Sequence, residues 1–165
     1  MIKSESFYNY IYDKVKRQPN IKLINGIIEE KKDLNDHVIV KTKNETFTGI
    51  KVLNSVPDDS YKNNSNFPVL LQHFVGWTIK TKKPVFDDTK ATLMDFSIDQ
   101  KNQTRFLYVL PTSNNEALVE FTLFSKELLN ENEYEVEIKK YLKALGINNY
   151  EINLKENGII PMTCF

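Results

Sequence analysis

The stretch from Arg105 to Ser125, RFLYVLPTSNNEALVEFTLFS, constrains the fold most. Two apolar runs, Arg105–Pro111 and Ala117–Ser125, flank a polar turn through Thr112, Ser113, Asn114 and Asn115. Tyr, Phe, Val and Thr suit a pleated, buried surface, and Asn tolerates the backbone of a tight turn. The pattern predicts an antiparallel hairpin. Side chains alternate across a strand, so Leu118, Glu120, Thr122 and Phe124 share one face and Ala117, Val119, Phe121 and Leu123 the other. Glu120 is the only charge inside the second run. Such a carboxylate is exposed on a wet face, paired, or functional. An apolar wall disfavours its ionised form, and a carboxylic acid kept neutral near pH 7 can act as a general acid.

Around the hairpin the chain reads as strands and two helices. Ser4 caps a first helix in which Phe7, Tyr8, Ile11, Tyr12 and Val15 recur at helical spacing, and Pro19 stops it. Core packing is the ordinary reading of that stripe; contact with a cofactor is the other. A strand follows over 21–30, kinked at Asn25-Gly26, and then a hairpin over 37–41 and 46–54. Residues 67–81 read as a long strand bent at Gly76, and 92–98 as a short one. A second helix starts at Asn130 or Asn132, buries Tyr134, Ile138, Tyr141, Leu142 and Leu145, and ends before Gly146. Residues 150–154 and 158–162 read as two closing strands. The fold class is α+β: an antiparallel sheet of five or six strands backed by a helix.

The polar tract PDDSYKNNSN, rich in Asn and Ser, marks the domain boundary. The division is 1–56 as a helix with a small β-unit, 57–66 as a loop, and 67–165 as the sheet domain.

Composition excludes several functions. The 22 basic residues balance the 22 acidic ones, which gives no electrostatic footprint for nucleic acid. Cys164 is the only cysteine, so no internal disulfide or cysteine metal cluster forms. His73 has no His, Cys or carboxylate at ligand spacing, and no metal site is expected. No signal peptide or membrane-length apolar run stands out, and a cytoplasmic setting is expected. Eight tyrosines, ten phenylalanines and Trp77 suit an aromatic-rich core or pocket.

Val119-Glu120-Phe121-Thr122 after the Leu110-Pro111 pair resembles a segment of the lycopene cyclase family of flavoproteins, in which a strand of this kind carries an essential Glu. Leu70–Lys80 (LLQHFVGWTIK), Ala91–Phe96 (ATLMDF) and Asn157–Met162 (NGIIPM) resemble the same family in the same order. SESFYNYI and PNIKLINGIIEE resemble the middle of its flavin-binding region. The family's second acidic position is Phe121 here, which puts any mechanism needing a carboxylate pair in doubt.

The resemblance implies an enzyme that cyclises the ends of linear lycopene by acid-initiated isomerisation without net redox change, with FAD in its reduced form as cofactor. Glu120 and Asp95 would be catalytic, and Trp77, Phe74, Tyr108 and Thr122 would line the substrate. Asn54 and Ser55 would lie near the flavin, within part of an FAD-binding region like that of p-hydroxybenzoate hydroxylase. The implied partners are an apolar polyene and the periphery of the inner face of the cell membrane. The residues themselves leave plainer roles open: core packing for Trp77, an ion pair with Arg105 for Asp95, and a strand-ending turn for Asn54 and Ser55. The five glycines are scattered with no G-x-G-x-x-G, so the expectation is an internal or truncated piece of a longer flavoprotein. Other readings of the chain are an FAD-dependent hydroxylase or oxidoreductase acting on an apolar substrate, and a non-catalytic carotenoid-binding remnant.

Overall fold

The computed structural model describes residues 4–55, 66 and 68–163. The chain divides into two compact units, Ile2–Pro57 and Asp58–Phe165, the latter with Met1. The expected boundary loop lies outside the described residues except for Asn66.

In the first unit, helix α1 (Ser4–Lys16) precedes a three-stranded antiparallel sheet of β1 (Ile28–Asp33), β2 (Val38–Thr42) and β3 (Thr46–Gly49), in the order β1-β2-β3. β1 starts seven residues later than the sequence suggests, and its irregularity falls between Ile28 and Glu30 rather than at Gly26. Glu30 joins the first two strands. Its carboxylate meets Lys32 and Lys41, both at 2.8 Å, and these bonds hold its pKa down at about 2. No residue of α1 is buried, which corrects the core-packing reading of its aromatic stripe. Lys14 and Lys16 lie over the Tyr10 and Tyr12 rings instead.

The second unit is a five-stranded antiparallel sheet in the order β5-β6-β7-β4-β8, with one helix. Its elements are β4 (Val69–Lys80), β5 (Thr92–Asp95), β6 (Thr104–Ser113), β7 (Glu116–Ser125), α2 (Glu131–Ala144) and β8 (Glu151–Thr163). The hairpin expected from sequence is β6–β7, in register from Thr104↔Phe124 to Pro111↔Ala117. The last strand is one continuous element rather than two. Together with the first unit this makes an α+β protein built mostly of antiparallel sheet.

The core lies between α2 and one face of the sheet. Trp77, Ile79, Leu107, Ala117, Val119, Phe121 and Leu123 are fully buried there with Ile138 and Leu142 of α2. Fully burying a large apolar side chain stabilises by roughly 1.5–3 kcal/mol, so this layer holds the unit together. α2 is fixed at both ends. Glu133 accepts the Asn130 N–H at 2.9 Å, and Gly146 takes φ +77° just past the helix, where a side chain would be strained.

A buried polar chain clamps the helix to the sheet. Tyr134 Oη lies 2.7 Å from His73 Nδ1, and His73 Nε2 lies 2.8 Å from Ser125 Oγ. Ser125 Oγ donates to the Glu127 carbonyl, and the Leu129 N–H donates to Tyr134 Oη at 3.3 Å. The network assigns the tautomer: Nε2 carries the proton and gives it to Ser125, while Nδ1 accepts from Tyr134. Every group is satisfied by a neutral imidazole.

Candidate active site

α2 packs on one face of the five-stranded sheet, and Glu120 is on the other. Register places Glu120 beside Tyr108 on β6 and Gly76 on β4, and Gly76 beside Glu156 on β8. Cross-strand partners share a face, so Glu156, Gly76, Glu120 and Tyr108 form one row across four strands. The next row is Gly158, Phe74, Thr122 and Phe106. Leu118 and Thr122 flank Glu120 along its own strand.

The two glycines shape this surface. A Cβ at Gly158 would lie 2.5 Å from Phe74 Cζ, so the Phe74 ring occupies the space that a side chain would need. A Cβ at Gly76 would meet Glu156 Cγ at 3.1 Å, Glu156 Oε1 at 3.2 Å and Leu118 Cδ1 at 3.0 Å. Glu156 therefore reaches over Gly76, into the gap between itself and Glu120. Glu156 falls in the gap between the two closing strands expected from sequence, 150–154 and 158–162. The signal that could have found it is a glycine at the centre of a long apolar strand, which marks a close approach.

Glu120 is half-buried. Burial, the first cause, raises its pKa above the ordinary carboxylate range, and the negative charge of Glu156 adds to the rise. A 2.8 Å hydrogen bond from Thr122 Oγ1 to Glu120 Oε1 opposes it. Because Oε1 accepts from Thr122, the acidic proton of the neutral form belongs on Oε2. Thr122 is fully buried and fixed by the strand, so the carboxyl is oriented as well as desolvated.

Four of the residues named from sequence thus share one face: Glu120, Thr122, Tyr108 and Phe74. Two others do not. Asp95 is paired with Leu107, on the helix side, and accepts a 2.6 Å hydrogen bond from Tyr141 of α2 and a 2.9 Å bond from the Ser97 N–H. These bonds lower its pKa, the reverse of what a proton donor needs. The cause is one extra residue in β5. Between Thr92↔Val109 and Asp95↔Leu107 three steps on β5 match two on β6, and Met94 takes φ +53°. Without that bulge Asp95 would stand opposite Phe106, on the Glu120 face. Its expected ion pair with Arg105 is also replaced. The Arg105 guanidinium donates to Gln103 Oε1 and stands 4.0 Å from Glu137.

Trp77 is fully buried on the helix side. It packs near Tyr150, at 6.5 Å between rings, under the ammonium groups of Lys139 and Lys155. Its place is in the core, away from the Glu120 surface.

Asn54 and Ser55 belong to the first unit, in an exposed irregular stretch after β3. As to flavin, the residues present do not make the strand, Gly-rich turn and helix that a dinucleotide pyrophosphate requires. None of the glycines precedes a helix: Gly76 and Gly158 lie inside strands, Gly49 ends one, Gly146 follows α2 and Gly26 precedes β1. The described residues alone do not make the pyrophosphate site.

The described residues make two helices and two antiparallel sheets, with an oriented, half-buried carboxyl on the sheet face opposite α2. The chain belongs to the lycopene cyclase family: that family, described as lycopene cyclase protein, matches residues 1–164. No curated protein matches the chain significantly. Among solved structures the chain is similar to the tetracycline destructase Tet(51), at 14% identity and a TM-score of 0.42, over 84% of this chain and 40% of that one. The chain thus spans less than half the length of that protein.

Proposed function

We propose that the chain forms the substrate-side part of a carotene-cyclising enzyme, in which Glu120 is the general acid. The observation that carries the reading is Glu120 itself: half-buried between Leu118 and Thr122 and opposite Tyr108, with Oε1 engaged by Thr122 and a pKa raised by burial. The substrate is a linear polyene such as lycopene. Glu120 Oε2 delivers its proton to the terminal carbon–carbon double bond. An internal double bond attacks the resulting cation and closes a six-membered ring. Loss of a different proton from the ring completes the step, so one proton enters, one leaves, and no electrons are exchanged. Phe74, Tyr108 and Leu118 would cover the hydrocarbon and keep out water that would trap the cation.

The reading treats residues 1–56 as part of a flavin-binding region, 57–66 as a loop, and 67–165 as the substrate domain. FAD is compatible with this assignment, with Asn54 and Ser55 as the contribution of this chain near its rim. The proton transfer above uses protein side chains alone. Among the described residues no helix is long and apolar enough to cross a membrane. A substrate dissolved in lipid calls for peripheral contact with a membrane, and that contact is part of the proposal.

The reaction class is tested by supplying lycopene in vesicles to the protein in D2O. An acid-initiated cyclisation fixes one solvent deuteron in each ring formed. Cyclic product without deuterium, or product that has gained oxygen, would rule the isomerisation out.

A further inference from the structure

We infer that Glu156 is a positioning residue for the proton on Glu120, acting across Gly76. The inference rests on the acid role proposed for Glu120. Its ground is geometric. Glu156 and Glu120 lie on strands that do not touch each other, and β4 runs between them. At the one position of β4 opposite both stands Gly76, the only residue type that leaves the space between two flanking carboxylates unfilled. Glu156 uses that space: its Cγ and Oε1 lie where a Cβ on residue 76 would be crowded.

The chemistry follows from the placement. Two carboxylates facing one gap cannot both ionise cheaply, so a negative Glu156 favours the protonated form of Glu120. After the proton leaves, two anions face each other beside a carbocation. The pair stabilises that cation while it lasts, and their mutual repulsion promotes uptake of the next proton. The family's second acidic position in sequence is Phe121, which points into the core. In this chain the second carboxylate comes from β8 instead. The other groups facing Glu120 are Thr122, which donates to Oε1, and the Tyr108 ring on β6; Lys155 points to the opposite face and bonds Glu135 of α2.

The test titrates the carboxyl carbon of Glu120 by NMR in the chain of residues 1–165 with labelled glutamate. Glu156→Gln keeps the shape and removes the charge, and the Glu120 midpoint should move down. Glu156→Asp, which retains the charge on a shorter arm, should restore part of the shift. Gly76→Ala fills the gap and displaces the flexible end of Glu156, so it should also lower the midpoint. In turnover, activity that needs protonated Glu120 is present at low pH and lost as pH rises through its pKa. Glu156→Gln should move that loss to lower pH. An unchanged Glu120 midpoint in both Glu156→Gln and Gly76→Ala would overturn the inference. The acid role of Glu120 fails separately, if Glu120→Gln retains full turnover.

Discussion

Tyr134 Oη donates a 2.7 Å hydrogen bond to His73 Nδ1, joining α2 to the middle of the sheet through a neutral, buried imidazole. Burial, more than any other influence, pushes the His73 pKa below its ordinary value, and the nearby Arg105 charge pushes the same way. The folded state therefore binds fewer protons at this site than the unfolded chain does. Stability from the clamp is full above the unfolded pKa of about 6.5 and declines as pH falls toward the lower folded value. Urea unfolding at about pH 7.5 and about pH 5.5 should show a lower midpoint in acid. His73→Gln should remove most of that difference. It should also cost about 1–3 kcal/mol at the higher pH, because Tyr134 and Ser125 lose their partner.

The Asp95–Tyr141 bond makes a second prediction. Tyr141→Phe should destabilise by about 1 kcal/mol, at the modest end because Asp95 keeps the Ser97 N–H. Since folding lowers the Asp95 pKa, this contribution is present above the ordinary Asp value of about 3.9 and lost as pH falls below it. Asp95→Asn should leave cyclisation near wild type, because the residue points to α2. A collapse of turnover in a folded Asp95→Asn protein would contradict that placement.

Trp77 and Tyr108 should separate stability from substrate contact. Trp77→Phe removes core volume and should lower the unfolding midpoint while leaving the apparent affinity for lycopene unchanged. Tyr108→Ala should weaken substrate use with a smaller effect on folding. The reverse pattern would exchange the two faces of the sheet. Phe121→Ala, from the centre of the core, should cost about 3–5 kcal/mol in chemical unfolding.

How far the sequence could be read depended on whether structure followed local pattern. The β6–β7 hairpin obeys strict alternation, so Ala117, Val119, Phe121 and Leu123 were recognisable as core and Glu120 as standing on the other face. α2 was legible from the spacing of Tyr134, Ile138, Tyr141 and Leu142 and from Gly146 at its end, whereas Leu145, expected in the buried face, is exposed at the C-cap. Asp95 was misplaced because a single bulge residue, Met94, moves it to the opposite face, and no alternation rule anticipates an insertion. Glu156 was missed because it fell between the two closing strands expected from sequence, which are one strand, Glu151–Thr163. In the fold it stays extended, since β4 offers a complete ladder and Gly158 makes room for Phe74. The stripe on α1 had correct helical periodicity, but periodicity reports a helix and says nothing about what covers it.

Whether Glu120 supplies the proton is read from the cyclic carotene formed per unit of protein by wild type and Glu120→Gln in a lycopene-accumulating host. Gln keeps the size and the bond to Thr122 but carries no acidic proton. Loss of a general acid costs about a hundred- to ten-thousand-fold in rate, and the apolar setting places the expected loss toward the upper end. Glu120→Gln should accumulate lycopene with little or no cyclic product while the protein remains folded. Cyclic carotene at near wild-type yield from Glu120→Gln would contradict the acid role and leave Glu120 a structural residue of β7.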